Sequence, residues 1–270
     1  MSYRRIACLS TEAVETLYLL GAEDCIAGIS GFATRPPRAR KEKPKVSGFS
    51  SARIDRIMAV EPDLVIAYSD MQADIARDLV RAGVEVHVFN QRDLAGILRM
   101  IRSLAALVGM PDEGERLAAD LQARLEGARE RVAASVRRPR VYFEEWNDPL
   151  ISGIRWVSEL IEAAGGEDCF AEESLHQSAR ERIIADSAEV IARAPDIIIG
   201  SWCGKKFRPE QLRVRPGWDA VPAVRNNQLH EIKSADILSP GPGAISVGLA
   251  QMERIIASWA VATGAPSAEP

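Results

Sequence analysis

The sequence contains no run of about 18 consecutive apolar residues, so it offers no membrane-spanning helix. Its first ten residues, MSYRRIACLS, carry two arginines but no apolar stretch of leader length and no small-residue cleavage site. If Met1 is the native start, that absence predicts a cytoplasmic protein; a trimmed start would remove the inference. Cysteine is sparse: Cys8, Cys25, Cys169 and Cys203 form no C-x-x-C pair, and only three histidines accompany them. No zinc-type spacing results, which argues against a structural metal site. The even cysteine number is not evidence of disulfides, because Cys8 and Cys25 sit in apolar runs where small buried thiols are common. G-x-S-x-G, G-x-G-x-x-G and G-x-x-x-x-G-K-[ST] are also absent, which removes the serine-hydrolase, dinucleotide and P-loop readings. Nor is there a surplus of positive charge. The 34 basic and 38 acidic residues leave a net −4, unlike a general nucleic-acid binder. One local run, Arg35 to Lys45 (RPPRARKEKPK), is strongly basic and reads most simply as a solvated loop.

What is present is a globular composition, 47% hydrophobic and 27% charged over 270 residues, enough for one large domain or two ordinary ones. The first part alternates strand and helix signals. Strands are expected at Arg5–Ser10, Cys25–Ser30, Leu64–Tyr68 and Val84–Asn90. Helices are expected at Thr11–Leu20 (capped by Ser10 or Thr11), Arg53–Val60, Met71–Ala82 and Asp93–Val108. Short apolar runs between amphipathic helices predict a mainly parallel sheet covered on both faces. From Pro111 to Val136 the pattern becomes one unbroken helix. Pro111 and the acids behind it suit its first turn, and Leu117, Leu121, Leu125 and Val132 mark its apolar stripe. It would span roughly 35–40 Å, a rigid connector.

The alternation then restarts. Strands are expected at Val141–Trp146, Asp196–Trp202 and Leu229–Ser234, and helices at Ile154–Ala164, Ala185–Arg193 and Ala244–Ala262; Gly264–Pro270 reads as a tail. The fold class is therefore α/β, two Rossmann-like lobes joined by one long helix. Their boundaries fall at Met1–Met110, Pro111–Arg138 and Pro139–Pro270. Asp55–Tyr68 (DRIMAVEPDLVIAY) also echoes Ala188–Trp202 (AEVIARAPDIIIGSW), either as generic helix–turn–strand wiring or as an internal repeat.

Parallel sheets gather ligands at the carboxyl ends of their strands. Those ends offer Ser10, Thr11, Glu12, Phe32, Arg35, Phe49, Tyr68, Ser69, Asn90 and Gln91 in the first half. In the second half they offer Glu144, Glu145, Trp146, Trp202, Cys203, Lys205, Lys206, Arg208, Lys233 and Asp236. Aromatics are only 6% of the chain, yet Phe32, Phe49, Tyr68, Trp146 and Trp202 all fall on these loops. Flat faces with a few charges suit a large ligand, partly apolar and partly anionic, although each aromatic alone fits local packing as well. Cys203 beside Lys205 and Lys206 has the surroundings of a lowered thiol pKa, but it needs a base. Of the three histidines, His87 and His230 lie within strands as structural residues, leaving His176. Glu144, Glu145 and Asp148 cannot form one carboxylate centre in a regular strand, because neighbouring residues point to opposite faces.

Four segments in order, Ile54–Tyr68, Trp146–Gly153 (WNDPLISG), Ser158–Phe170 (SELIEAAGGEDCF) and Glu189–Ile199, resemble the substrate-binding proteins of ABC importers for vitamin B12, siderophores and haem. The resemblance covers Arg5 to Ala262 and is nearest the vitamin B12 branch. It implies a monomeric, non-enzymatic protein, periplasmic by family norm. Such a protein has no tightly bound cofactor and no metal site of its own, and it holds a corrinoid, haem or ferric siderophore in a cleft between lobes. It also implies a ligand clamp of Phe49 and Tyr68 with Phe32 near; the strand ends of the second half add Trp146, Trp202 and Asp236 as candidates for the other wall. Where the B12 branch has a tryptophan this chain has Arg182, which with Lys205, Lys206 and Arg208 implies a ligand carrying negative charge. Docking on importer membrane subunits would use one acid per lobe. Asp55 fits the first; the second falls on Ala188, with Glu189 one residue away. A stand-alone cytoplasmic chelate chaperone or enzyme derived from the family is the alternative.

Overall fold

The computed structural model describes residues 2–133 and 137–264. Two compact units share the chain. The first comprises Met1–Gln122 with Ser239–Gly243, the second Ala123–Leu238 with Ala244–Pro270. The long helix runs Pro111–Ala133 and is divided between them. Its expected continuation over 134–136, like the tail beyond Gly264, lies outside the described residues.

The first unit holds five parallel strands: β1 (Ile6–Cys8), β2 (Ile26–Ser30), β3 (Lys45–Ser47), β4 (Leu64–Tyr68) and β5 (Val86–Phe89), in the order β3-β2-β1-β4-β5. All of β1 and β4 is buried, as continuous apolar runs under helices on both faces require. Each large aliphatic side chain so buried contributes about 1.5–3 kcal/mol. The strand order reverses between β1 and β4, the kind of switch point at whose carboxyl ends open α/β sheets bind ligands.

The second unit is mixed. β6 (Arg140–Asn147) pairs along one edge with β9 (Ile197–Gly200), which continues to β10 (Leu229–Glu231). Its other edge takes β8 (Glu167–Asp168) at the start and antiparallel β7 (Leu150–Ser152) at the end. The expected helices are found to within a few residues. The short helices Pro209–Arg213, Pro222–Arg225 and Ser234–Ile237 are not among those expected, the last beginning where the expected strand Leu229–Ser234 ends. Two further differences stand out. The closing helix begins with a π turn over Ala244–Gly248 before the α-helix Leu249–Thr263. The basic run is not all loop: it contains the helical turn Ala39–Glu42, and Lys45 opens β3.

The internal echo extends to backbone geometry. Glu61 and Ala194, each just before a proline, both adopt a left-handed φ of 46°, a conformation costly for residues with a Cβ. The aspartate after each proline then anchors the neighbouring strand. Asp63 accepts from the Arg4 and Arg5 amides at 2.7 and 3.0 Å, and Asp196 accepts from the Arg140 amide at 2.9 Å. In return the Asp63 and Asp196 amides donate to the carbonyls of Arg5 and Arg140.

Candidate functional site

In the first unit the carboxyl-end loops are organised by a residue that pattern reading missed. Gln72 is buried, accepts from the Tyr68 amide at 2.9 Å, and donates to the carbonyls of Leu9 at 3.2 Å and Phe49 at 2.6 Å. One side chain thus ties the ends of β1 and β4 to the loop after β3. It comes from the 3-10 turn Asp70–Gln72, entered through Ser69, whose φ is 57° and whose hydroxyl accepts from the Met71 amide. The available signal was the Ser69-to-Gln72 capping spacing, although the bond goes to the Tyr68 amide.

Phe32, beyond β2, is 61% exposed, and its ring edge lies 3.9 Å from where a Cβ on Gly48 would sit. Phe49 is half-buried. Tyr68 is turned inward at 5% exposure; its hydroxyl donates to the Gln91 carbonyl at 3.2 Å, and the Arg92 guanidinium stands 5.6 Å over its ring. Ser10 and Glu12 are buried, Glu12 beneath the segment Ser239–Gly243. That segment is held by Thr11 Oγ1 against Ser239 Oγ at 3.0 Å and by Gln91 donating to the Pro240 carbonyl at 2.8 Å. Gly241 packs so closely that a Cβ there would lie 2.5 Å from that of Glu12, so only glycine fits. Burial above all pushes the Glu12 carboxyl up to about 7, and one of its oxygens has no hydrogen-bond partner. Ser10 takes the N-cap position of Thr11–Leu19 without a capping bond from its side chain.

In the second unit the alternation along β6 separates the acids as expected. Glu144 is fully buried and grips Arg215 through both oxygens at 2.6 and 2.9 Å; it also accepts from Trp202 Nε1 at 2.9 Å. Trp202 is accordingly buried, edge-on to Phe207 at 5.1 Å, and belongs to the core cluster with Tyr142, Phe170 and Trp218. Glu145 points the other way and holds Arg182 at 2.7 and 3.2 Å. Arg182 is 2% exposed, so its charge is spent within the fold.

What remains on the surface is Trp146, half-buried, with the Lys205 ammonium 3.9 Å over its ring, and exposed Lys206 and Arg208. Asp236 accepts from Gln251 at 2.9 Å. Asp55 is exposed and paired with Arg53, whose hydrogen bond holds its carboxyl below the ordinary range. Glu189 is exposed on the first turn of Ala188–Arg193.

Cys203 is exposed, but partial burial of the thiol, followed by the charge of Glu145, raises its pKa above the ordinary 9.0. That is opposite to what a nucleophile needs. At pH 7 a maleimide is expected to label Cys203 more slowly than free cysteine; faster labelling would reveal an activated thiolate. Burial lowers the pKa values of His87 and His230, consistent with neutral structural roles. Among the described residues no group of three or more His, Cys, Asp or Glu could hold a metal ion, and no helix is long and apolar enough to cross a membrane.

Comparison with known proteins agrees with this architecture. The periplasmic binding protein family model matches residues 6–235. A vitamin B12-binding protein of Vibrio campbellii is 27% identical over 241 residues, covering 88% of this chain and 84% of its own. A solved periplasmic haem-binding protein from Pseudomonas aeruginosa superposes with a TM-score of 0.82 at 20% identity, over 99% of this chain and 95% of its own. The periplasmic vitamin B12-binding protein of Vibrio cholerae gives 0.73 at 22% identity, over 97% and 98%. These relatives are binding proteins, not enzymes.

Proposed function

This chain belongs to the periplasmic binding protein family, and on that premise we propose that it captures a metal chelate (a corrinoid, a haem or a ferric siderophore) and delivers it to an ABC importer. The observation that carries the reading is Phe32, a large apolar ring left 61% exposed on a carboxyl-end loop, with its edge against Gly48, the residue before half-buried Phe49. Such a face gains by covering the flat apolar part of a ligand. Relatives named for vitamin B12 and haem support the ligand class. Lys205, Lys206 and Arg208 supply exposed cations on the other lobe, and Trp146 fixes the Lys205 ammonium by cation–π attraction. This favours a chelate with carboxylates or other anionic groups over neutral cobalamin. Tyr68 shares with Phe49 the anchor of Gln72, and Trp202 lies in the cluster against which Trp146 packs. Arg182 braces the β6 end through Glu145, and Asp236 accepts from the last helix. Asp55 and Glu189 are the surface acids offered to the importer. The periplasm, the family norm, is the location this reading takes; the cytoplasmic expectation drawn from Met1 finds no support in the family.

Calorimetric titration with haem, a ferric siderophore and cobalamin tests the assignment. Phe32→Ala and Phe49→Ala should each weaken binding by about 1–3 kcal/mol. Lys205→Ala combined with Lys206→Ala should weaken anionic chelates selectively, and by less at high salt, where exposed charges are screened. No binding by wild type at micromolar concentrations would overturn the function. Wild-type affinity in all these variants would overturn the residue assignment alone.

A further inference from the structure

The basic run noted in the sequence is not explained by chelate capture. Residues 35–56 contain eight lysines and arginines against two acids, a surplus of six positive charges in a chain whose net charge is −4. Part of this surplus is neutralised locally. Arg35 faces Glu15, Arg38 pairs with Glu23 and Glu42, and Arg53 pairs with Asp55. The Lys45 and Arg56 side chains have no ion-pair or hydrogen-bond partner among the described residues, and both are exposed.

These two cations do not sit on a flat surface. With Arg53 they line a hollow of about 330 Å³ whose remaining wall is Val46, Ser47, Gly48, Ser51 and Ala52. The hollow is built by the chain turning back on itself. β3 ends at Ser47, the Gly48 amide donates to the Ser51 carbonyl at 2.8 Å, and Ser47 and Ala52 form an antiparallel bridge. The helical turn Ile54–Met58 then brings Arg56 beside the edge strand. The Ser47 hydroxyl is buried and unpartnered.

A lysine on an edge strand has an ordinary purpose, keeping other strands from pairing there. That purpose explains Lys45 alone. It does not explain two unpaired cations joined by Asp55-paired Arg53 along one concavity, with the buried, unpartnered Ser47 hydroxyl in a residue of its wall. Guanidinium and ammonium groups with a hydroxyl donor match the several acceptor oxygens and double charge of a phosphate group. The volume lies at the lower end of the range for small-molecule sites.

We infer that the hollow lined by Lys45, Ser47, Arg53 and Arg56 is a phosphate-group binding site; it shares the loop after β3 with Phe49, which does not line it. The phosphate comes either from a free phosphate or from an anionic lipid headgroup, and the chemistry of the site is common to both.

The test uses the full chain. Inorganic phosphate and pyrophosphate are titrated by calorimetry at low salt, and vesicles of phosphatidylglycerol or phosphatidylcholine are sedimented with the protein. Lys45→Met with Arg56→Met should lower phosphate affinity at least tenfold. Ser47→Ala, which leaves the charge unchanged, should lower it several-fold, and Lys41→Met, outside the hollow, should change it little. Both hollow cations are exposed, so the fold should tolerate their loss, and a thermal melt checks this. Phosphate binding with co-sedimentation on phosphatidylglycerol alone, both lost in the double variant, supports the site and assigns the headgroup. Phosphate binding without co-sedimentation supports the site and assigns the free ion. Absence of phosphate binding at millimolar concentration overturns the inference. So does binding that Lys41→Met reduces as much as the hollow variants do.

Discussion

Replacing Glu144 by leucine is expected to destabilise the protein by about 3–5 kcal/mol, the cost of breaking a buried ion pair by removing one partner. Glu144 is fully buried and joins both guanidinium nitrogens of Arg215 to the indole N–H of Trp202. Its loss leaves a largely buried cation and an indole donor without acceptors, inside a cluster that also holds Tyr142, Phe170 and Trp218. Combining Glu144→Leu with Arg215→Leu removes both charges and should recover most of the loss, because an apolar replacement of a buried pair is close to neutral. Chemical denaturation of the single and double variants measures both values. A single variant costing under about 1 kcal/mol, or a double variant no better than the single, would contradict this account of the second lobe's core.

Glu12→Gln is expected to act in the opposite direction and to depend on pH. The carboxyl is pushed from 4.5 up to about 7, chiefly by burial; hydrogen bonds from its own backbone and from Thr11 offset this in part, and the charge of Glu15 adds to it. Between those two values the unfolded chain has released its proton while the folded chain keeps it. Stability therefore falls as pH rises from about 4.5 to about 7 and is level outside that window. The full change is on the order of 3 kcal/mol. Glutamine does not titrate, so the variant should match wild type near pH 4 and exceed it at pH 8 by up to that amount. Denaturation midpoints from pH 4 to 8 decide the matter. Parallel curves for wild type and variant would show that Glu12 does not titrate from a buried neutral form.

The parts of the fold legible in the sequence were those whose signal is local. Leu64–Tyr68 and Asp196–Trp202 read as strands because short continuous apolar runs rich in Val and Ile suit a buried parallel sheet, and the Pro-Asp turns before them mark their starts. β3, β7 and β8 were not legible. They are two or three residues long, and their pairing is decided by the partner strand, not by their own composition.

The site divided along the same line. Exposed loop positions such as Phe32, Lys205 and Lys206 stand where strand ends predicted them. The aromatic and charged residues that turned inward, Tyr68, Trp202 and Arg182, did so because distant residues satisfy their polar atoms. Glu144 lies 58 positions from Trp202, and Glu145 lies 37 from Arg182. No periodicity announces such a pair. Ser239–Gly243, with two prolines and two glycines in five residues, reads as linker, and its role over Glu12 emerges only from packing.

The most direct test of chelate capture is native mass and absorbance measurement of the protein purified from its own host. Titration of the stripped protein with haem, a ferric siderophore and cobalamin follows. The account predicts one chelate per chain, with its own visible absorbance, and tighter rebinding of an anionic chelate than of cobalamin. A chain without added mass that binds none of the three at micromolar concentration would contradict it.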